Sequence, residues 1–208
     1  MKKLVVIFIA CLVLVSCMGP VQVAKNENEV FKRDYEDPDL ARVYKMNEEA
    51  LRNIYTIYNK AGVDFYYEGI AVIGLKYSGG GMQDHYVSIK IRPAAVVFDR
   101  ATSEPDKWRE RLTRITRQEF PKYIRYLKKS DLQFKDIEGL AFAIYWPLRD
   151  YTQCDTYGGC IEYAIIYLTN KDVIDFLDGT RPFLDIAKQS RVVASFNREP
   201  AELMKIGD

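Results

Sequence analysis

His85-Tyr86-Val87-Ser88-Ile89-Lys90-Ile91-Arg92 alternates residue by residue. Val87, Ile89 and Ile91 point one way; Tyr86, Ser88, Lys90 and Arg92 point the other. That two-residue period is a strand with one face in the core. Upstream, Phe65 to Tyr77 is apolar and aromatic on both faces through its middle, as in a strand covered on both sides. Between the two lies Ser78-Gly79-Gly80-Gly81-Met82-Gln83-Asp84, a flexible connection that makes the pair a hairpin. Ala94 to Phe98 extends the second strand beyond a break at Pro93.

A helix precedes the hairpin. Asp37 is its N-cap and Pro38 its first residue. Leu40, Val43, Tyr44, Leu51, Ile54, Tyr55 and Tyr58 recur at three- and four-residue steps, one apolar stripe, and Gly62 is the stop. A second helix follows the hairpin. Ser103 opens it, Trp108, Leu112 and Ile115 form its stripe, and Phe120-Pro121 interrupts it. Proline removes a hydrogen bond and clashes with the previous turn, so a kink or a restart is expected there. Tyr123, Ile124 and Leu127 continue the apolar side.

A second hairpin comes next. Ile137 to Leu148 sends Leu140, Phe142, Ile144, Trp146 and Leu148 to one face, and Ile161 to Thr169 is apolar on both. Thr169 or Asn170 caps a short helix through Leu177, ended by Gly179. Arg191 to Phe196 is a last strand, and Pro200 to Ile206 a short terminal helix. The strands come in pairs between helices rather than alternating singly with them. The expected fold is therefore α+β: an antiparallel sheet of four to six strands with helices packed mainly on one face. Tyr67-Glu68-Gly69-Ile70-Ala71-Val72 is echoed 70 residues on by Ile137-Glu138-Gly139-Leu140-Ala141-Phe142. The echo raises a duplicated helix–strand–strand unit as a further expectation.

The N-terminus sets the address. Lys2 and Lys3 precede the apolar run Leu4 to Val15, about a dozen residues, shorter than the ~20 that span a bilayer. A basic start, a short apolar stretch and a small residue form an export signal. Leu14-Val15-Ser16-Cys17 places a cysteine directly after that small residue, and the segment resembles a bacterial lipoprotein signal. The resemblance implies cleavage of residues 1–16 and acylation of Cys17. It also implies a chain held by acyl chains at a cell membrane or outer membrane, facing the periplasm or exterior. Residues 17–37 then read as the lipidated Cys and a flexible tether, and 38–208 as a single domain. Met18 rather than Asp after the cysteine suggests the outer membrane in a cell that has one. Cys11 leaves with the signal, so Cys154 and Cys160 remain as an even pair in an oxidising compartment, where a disulfide is the default. A metal pair wants more Cys or His nearby, and a redox centre wants C-x-x-C rather than C-x5-C.

Of 30 basic residues, Lys2 and Lys3 are lost with the signal, leaving 28 against 29 acidic ones. That balance argues against a nucleic-acid partner. His85 is the only histidine; it is either a base beside Asp84 on a mobile loop or an ordinary strand-start residue. Ser78-Gly79-Gly80-Gly81 lacks the Lys and the following helix of a phosphate loop. Glu68 and Glu138 are the carboxylates an envelope hydrolase would use, if held a set distance apart. From Lys107 to Lys129 the second helix carries nine basic residues, Arg111, Arg114 and Arg117 among them, against Glu110 and Glu119, a local charge of +7. That stripe is either a solvated face or a contact for anionic lipid or an acidic partner. Tyrosines, Tyr86 and Tyr163 among them, gather on the strands, where a half-buried face or a partner or glycan surface accounts for them. The functional expectation is a non-enzymatic binding module for an envelope protein or polymer, requiring no cofactor or metal. A carboxylate hydrolase and a small-ligand binder are the alternatives.

Overall fold

The computed structural model describes residues 22–76, 82–93, 98, 107–147, 161–195, 202–204 and 206. The six strands of its sheet lie side by side in chain order: β1 (Asp64–Lys76), β2 (Met82–Arg92), β3 (Gly139–Pro147), β4 (Ile161–Thr169), β5 (Arg191–Ser195) and β6 (Glu202–Met204). The class is α+β, as the paired strands imply. Four of the five neighbouring pairs are antiparallel; β2 and β3 run parallel, with Val87 opposite Leu140 and Ile91 opposite Ile144. The expected all-antiparallel sheet is corrected at this one seam. A parallel neighbour needs a long crossover, and residues 93–138 supply one.

The helices form from the signals in the sequence. Asp37 accepts a hydrogen bond from the Asp39 amide and starts α2 (Pro38–Lys60), which buries Val43, Leu51, Ile54 and Tyr58. Gly62, at φ 70°, lies just beyond its end. The second helix is broken as Pro121 requires. α3 (Trp108–Arg114) passes into a π turn (Ile115–Glu119), in which the Phe120 amide reaches back to the Ile115 carbonyl, and α4 (Phe120–Ile124) restarts with Pro121 in its first turn. Thr169 and Asp172 cap α5 (Asn170–Leu177) reciprocally. Two helices had no clear sequence signal, α1 (Glu27–Val30) and α6 (Phe183–Gln189).

Helices pack on one face. Val72, Ile89, Phe142, Ile144 and Ile166 of the sheet bury against Leu51, Ile54, Tyr58, Ile115, Phe120 and Ile124. These side chains make one continuous core between the two layers. Phe98 lies in this core against Trp146.

Three expectations are corrected. Residues 22–37 are docked rather than a free tether: Val23 bridges Tyr66, Val30 is buried, Phe31 packs edge-on against Tyr55, and the Tyr35 hydroxyl accepts from the Val72 amide. These anchors are too widely spaced to show a period. They also shield β1, which is an edge strand and yet nearly as buried as a central one. The C-terminus adds β6, with Leu203 opposite Val193, where a helix was expected. The Glu-Gly echo is local. β3 runs opposite to β1, so mapping the first hairpin onto the second in the same strand order would turn the sheet over and move the helices to the other face. Both helix sets instead share one core. Each glycine of the echo answers a close approach: a Cβ on Gly69 would lie 2.6 Å from the Tyr66 carbonyl, and one on Gly139 1.9 Å from that of Leu168.

Candidate functional site: the tyrosine face of the sheet

The alternation that buries one sheet face turns tyrosines to the other. Along β4, Glu162, Ala164, Ile166 and Leu168 go to the helices, while Ile161, Tyr163, Ile165 and Tyr167 go to the far side and stay half-buried. β3 sends Ala141, Ala143 and Tyr145 there, and β2 sends Tyr86. Among the described residues, the apolar clusters on this side consist of strand residues and Val23, with no helix among them.

Two aromatic groups result. Tyr145 lies between Tyr66 and Tyr163, with ring centroids 4.8 Å and 5.2 Å away. Toward the other end of the face Tyr86 meets Tyr167 edge-on at 5.5 Å, and the Arg191 guanidinium lies over the Tyr167 ring. Small residues separate the groups: Ala141 is opposite Ser88 on one side and Tyr167 on the other, and Ala143 is opposite Lys90. Burial pushes the Tyr66 phenol up to about 12 and raises those of Tyr145, Tyr163 and Tyr167. Burial also lowers Lys90, helped by the charge of Arg33 and opposed by Glu68. At neutral pH the face therefore presents neutral phenols, with the Arg191 guanidinium and Lys90 beside them. The partly exposed Tyr163 and Tyr167, each an apolar ring with a polar hydroxyl, suit a partner with both apolar and polar groups. Tyr163 is at its half-exposed part, whereas Tyr86 is buried.

The remaining predicted site residues scatter. Arg111 is not on a solvated stripe: it is fully buried and binds Glu162 through Nε to Oε2 and Nη2 to Oε1, both 2.7 Å, while Trp146 Nε1 donates to Oε2 at 3.0 Å. Arg114 lies over the Phe98 ring, and Arg117 is exposed on the π turn. Elsewhere on the stripe Lys107 pairs with Glu110 and Lys129 with Asp178. The +7 stripe is thus divided: part of it goes to core, rings and ion pairs, and Arg117 stays exposed. Glu68 sits in the β1 bulge between the pairs Phe65–Ile91 and Ile70–Ile89, level with Lys90. Glu138 is bonded through its amide to the His85 carbonyl. Five residues of β2 separate those levels, about 17 Å along the strand, with two further strand spacings across. The register therefore leaves no acid–base pair of Glu68 and Glu138. His85 is a clamp: Nδ1 is 3.1 Å from the Asp136 carbonyl and Nε2 3.1 Å from Asp39 Oδ2, the latter within ion-pair distance but not aligned as a hydrogen bond. Cys17, Cys154 and Cys160 lie outside the described residues. Among the described residues no cluster of three or more His, Cys, Asp or Glu is gathered to hold a metal, and no helix is long and apolar enough to cross a membrane.

The Arg111–Glu162 pair was missed in the sequence. Its signal was Glu162 at an inward position of an otherwise apolar strand, since a carboxylate there needs a buried cation. No family model, curated protein or solved structure matches this chain.

Proposed function

We propose that this chain is a lipid-anchored extracytoplasmic binding module, without catalytic activity of its own, that holds an envelope protein or polymer on the tyrosine face of its sheet. The observation that carries this reading is the division of the sheet: helices fill one face, and the other keeps half-exposed Tyr163, Ile165 and Tyr167. The docked segment adds a geometric consequence. If Cys17 bears the acyl chains, only residues 18–21 separate it from Gln22, a reach of roughly 14 Å when extended. Val23 packs beside Tyr66, Tyr145 and Tyr163, so the anchor enters at that end of the face. The partner would then be met close to the bilayer.

The intact mass of protein extracted from membranes tests the anchor. The expected species lacks residues 1–16 and carries a diacylglyceryl group on Cys17; an unmodified, uncleaved N-terminus rejects the address. A Tyr163→Ala/Tyr167→Ala chain tests the face. Loss of the envelope partner retained by the native chain, at unchanged folding, is expected; equal retention rejects it.

A further inference from the structure

The π turn opens a second site on the helical side of the molecule. A cleft of about 370 Å³ lies between the π turn with α4 and the α5–α6 turn, lined by Thr116, Arg117, Arg125, Phe176, Arg181 and Phe183 among others, with no carboxylate among its lining residues. That volume is in the range of small-ligand sites. Arg181 is already held by Asp172 at 2.9 Å and Gln189 at 3.0 Å. Arg117 and Arg125 make no ion pair among the described residues, and Arg125 is oriented by the Phe176 ring, 5.2 Å below its guanidinium. Phe176 and Phe183 meet edge-on at 5.2 Å to form an apolar wall.

The second observation is independent of charge. Thr116 is fully buried, lines this cleft, and its Oγ1 has no hydrogen-bond partner. A threonine inside an α-helix ordinarily bonds its hydroxyl to the carbonyl four residues back. Here the hydroxyl lies within the π turn and makes no such bond. Buried hydroxyls are normally satisfied, and an orphan calls for an explanation such as a missing ligand. π turns within helices are frequent at functional sites.

We propose that the cleft binds an organic phosphate: two guanidinium forks and the Thr116 hydroxyl take the phosphoryl oxygens, and the phenylalanine wall takes the organic body. Guanidinium forks match phosphate oxygens in pairs, and a hydroxyl can donate to a further oxygen of the group. The site does not depend on the tyrosine face or on acylation.

The test uses the chain from Met18 onward, which keeps every described element. It is titrated by calorimetry and nuclear magnetic resonance with phenyl phosphate, with inorganic phosphate, and with phosphatidylglycerol vesicles against phosphatidylcholine vesicles. Saturable binding of phenyl phosphate, tighter than inorganic phosphate and shifting Thr116, Phe176 and Phe183 resonances, is expected. Arg117→Ala/Arg125→Ala should weaken it about tenfold or more, and the near-isosteric Thr116→Val about tenfold, the scale of a charge-assisted hydrogen bond. Phosphatidylglycerol binding that phenyl phosphate displaces would identify a lipid headgroup as the source; phenyl phosphate binding without vesicle binding would identify a soluble phosphate compound. Absence of both, or binding unchanged in the double variant, overturns the proposal.

Discussion

Arg111 and Glu162 meet fork to fork in the core, Nε to Oε2 and Nη2 to Oε1, with no solvent on the guanidinium. Removing one partner of such a pair leaves a buried charge and costs about 3–5 kcal/mol, while replacing both with apolar residues costs far less. Arg111→Met alone and Glu162→Met alone should therefore each lower the denaturant midpoint sharply, and Arg111→Met/Glu162→Met should recover most of the loss. Equilibrium unfolding of the four species measures the coupling. Additive effects of the two single changes would remove the pair as a unit of the core.

Gly139 and Gly179 make a matched comparison. A Cβ at Gly139 would sit 1.9 Å from the Leu168 carbonyl and 2.8 Å from Thr169 Cα, so β3 and β4 would have to separate. Gly179 has φ 72° and open space around it, so only backbone strain of about 1 kcal/mol opposes alanine there. Gly139→Ala should cost several times more than Gly179→Ala, read as shifts in unfolding midpoint; equal shifts would contradict the β3–β4 register.

The phenols predict alkaline behaviour. Burial raises Tyr35 and Tyr66 from 10.0 to about 12, and raises Tyr58 and Tyr145 further. A group raised in the folded state contributes stability below its unfolded value and loses it as pH rises through the folded one. Stability should hold up to about pH 10 and fall progressively toward pH 12 and beyond. Tyrosinate absorbance followed beside circular dichroism checks this. Full tyrosine titration near pH 10 without unfolding would contradict the burial of these rings.

Tyr35 tests whether residues 22–37 belong to the domain. Its hydroxyl is 2.8 Å from the Val72 amide on the outer edge of β1. Tyr35→Phe strands that buried donor, at a cost of about 1–3 kcal/mol. Limited proteolysis should then cut within 22–37 faster than in the native chain. Rapid cleavage of the native chain there would restore the free tether.

Much of this architecture could be read from local pattern. The strict alternation of β2, the Asp37-Pro38 start of α2, the Thr169 cap of α5 and the break at Phe120-Pro121 each follow from chemistry within a few residues. What could not be read depends on distant contacts. The parallel β2–β3 seam depends on where a long crossover lands. β6 has no strong pattern and exists because β5 offers it an edge. Val30, Phe31 and Tyr35 look like polar-segment residues until the surface they dock on is known. The tyrosine face was legible as a cluster, because alternation assigns faces, but its isolation from the helices was not. Of the arginines, Arg111 went to the core because its partner Glu162 lies on another element, 51 residues away.

The proposed partner meets the chain on the tyrosine face rather than the helical one. A photoreactive amino acid placed in living cells at Tyr163, and separately at the exposed Lys45 of α2, tests it most directly. A discrete crosslinked species is expected from position 163, lost on adding Tyr167→Ala, and none from position 45. Crosslinking from position 45 alone, or equally from both, would contradict it.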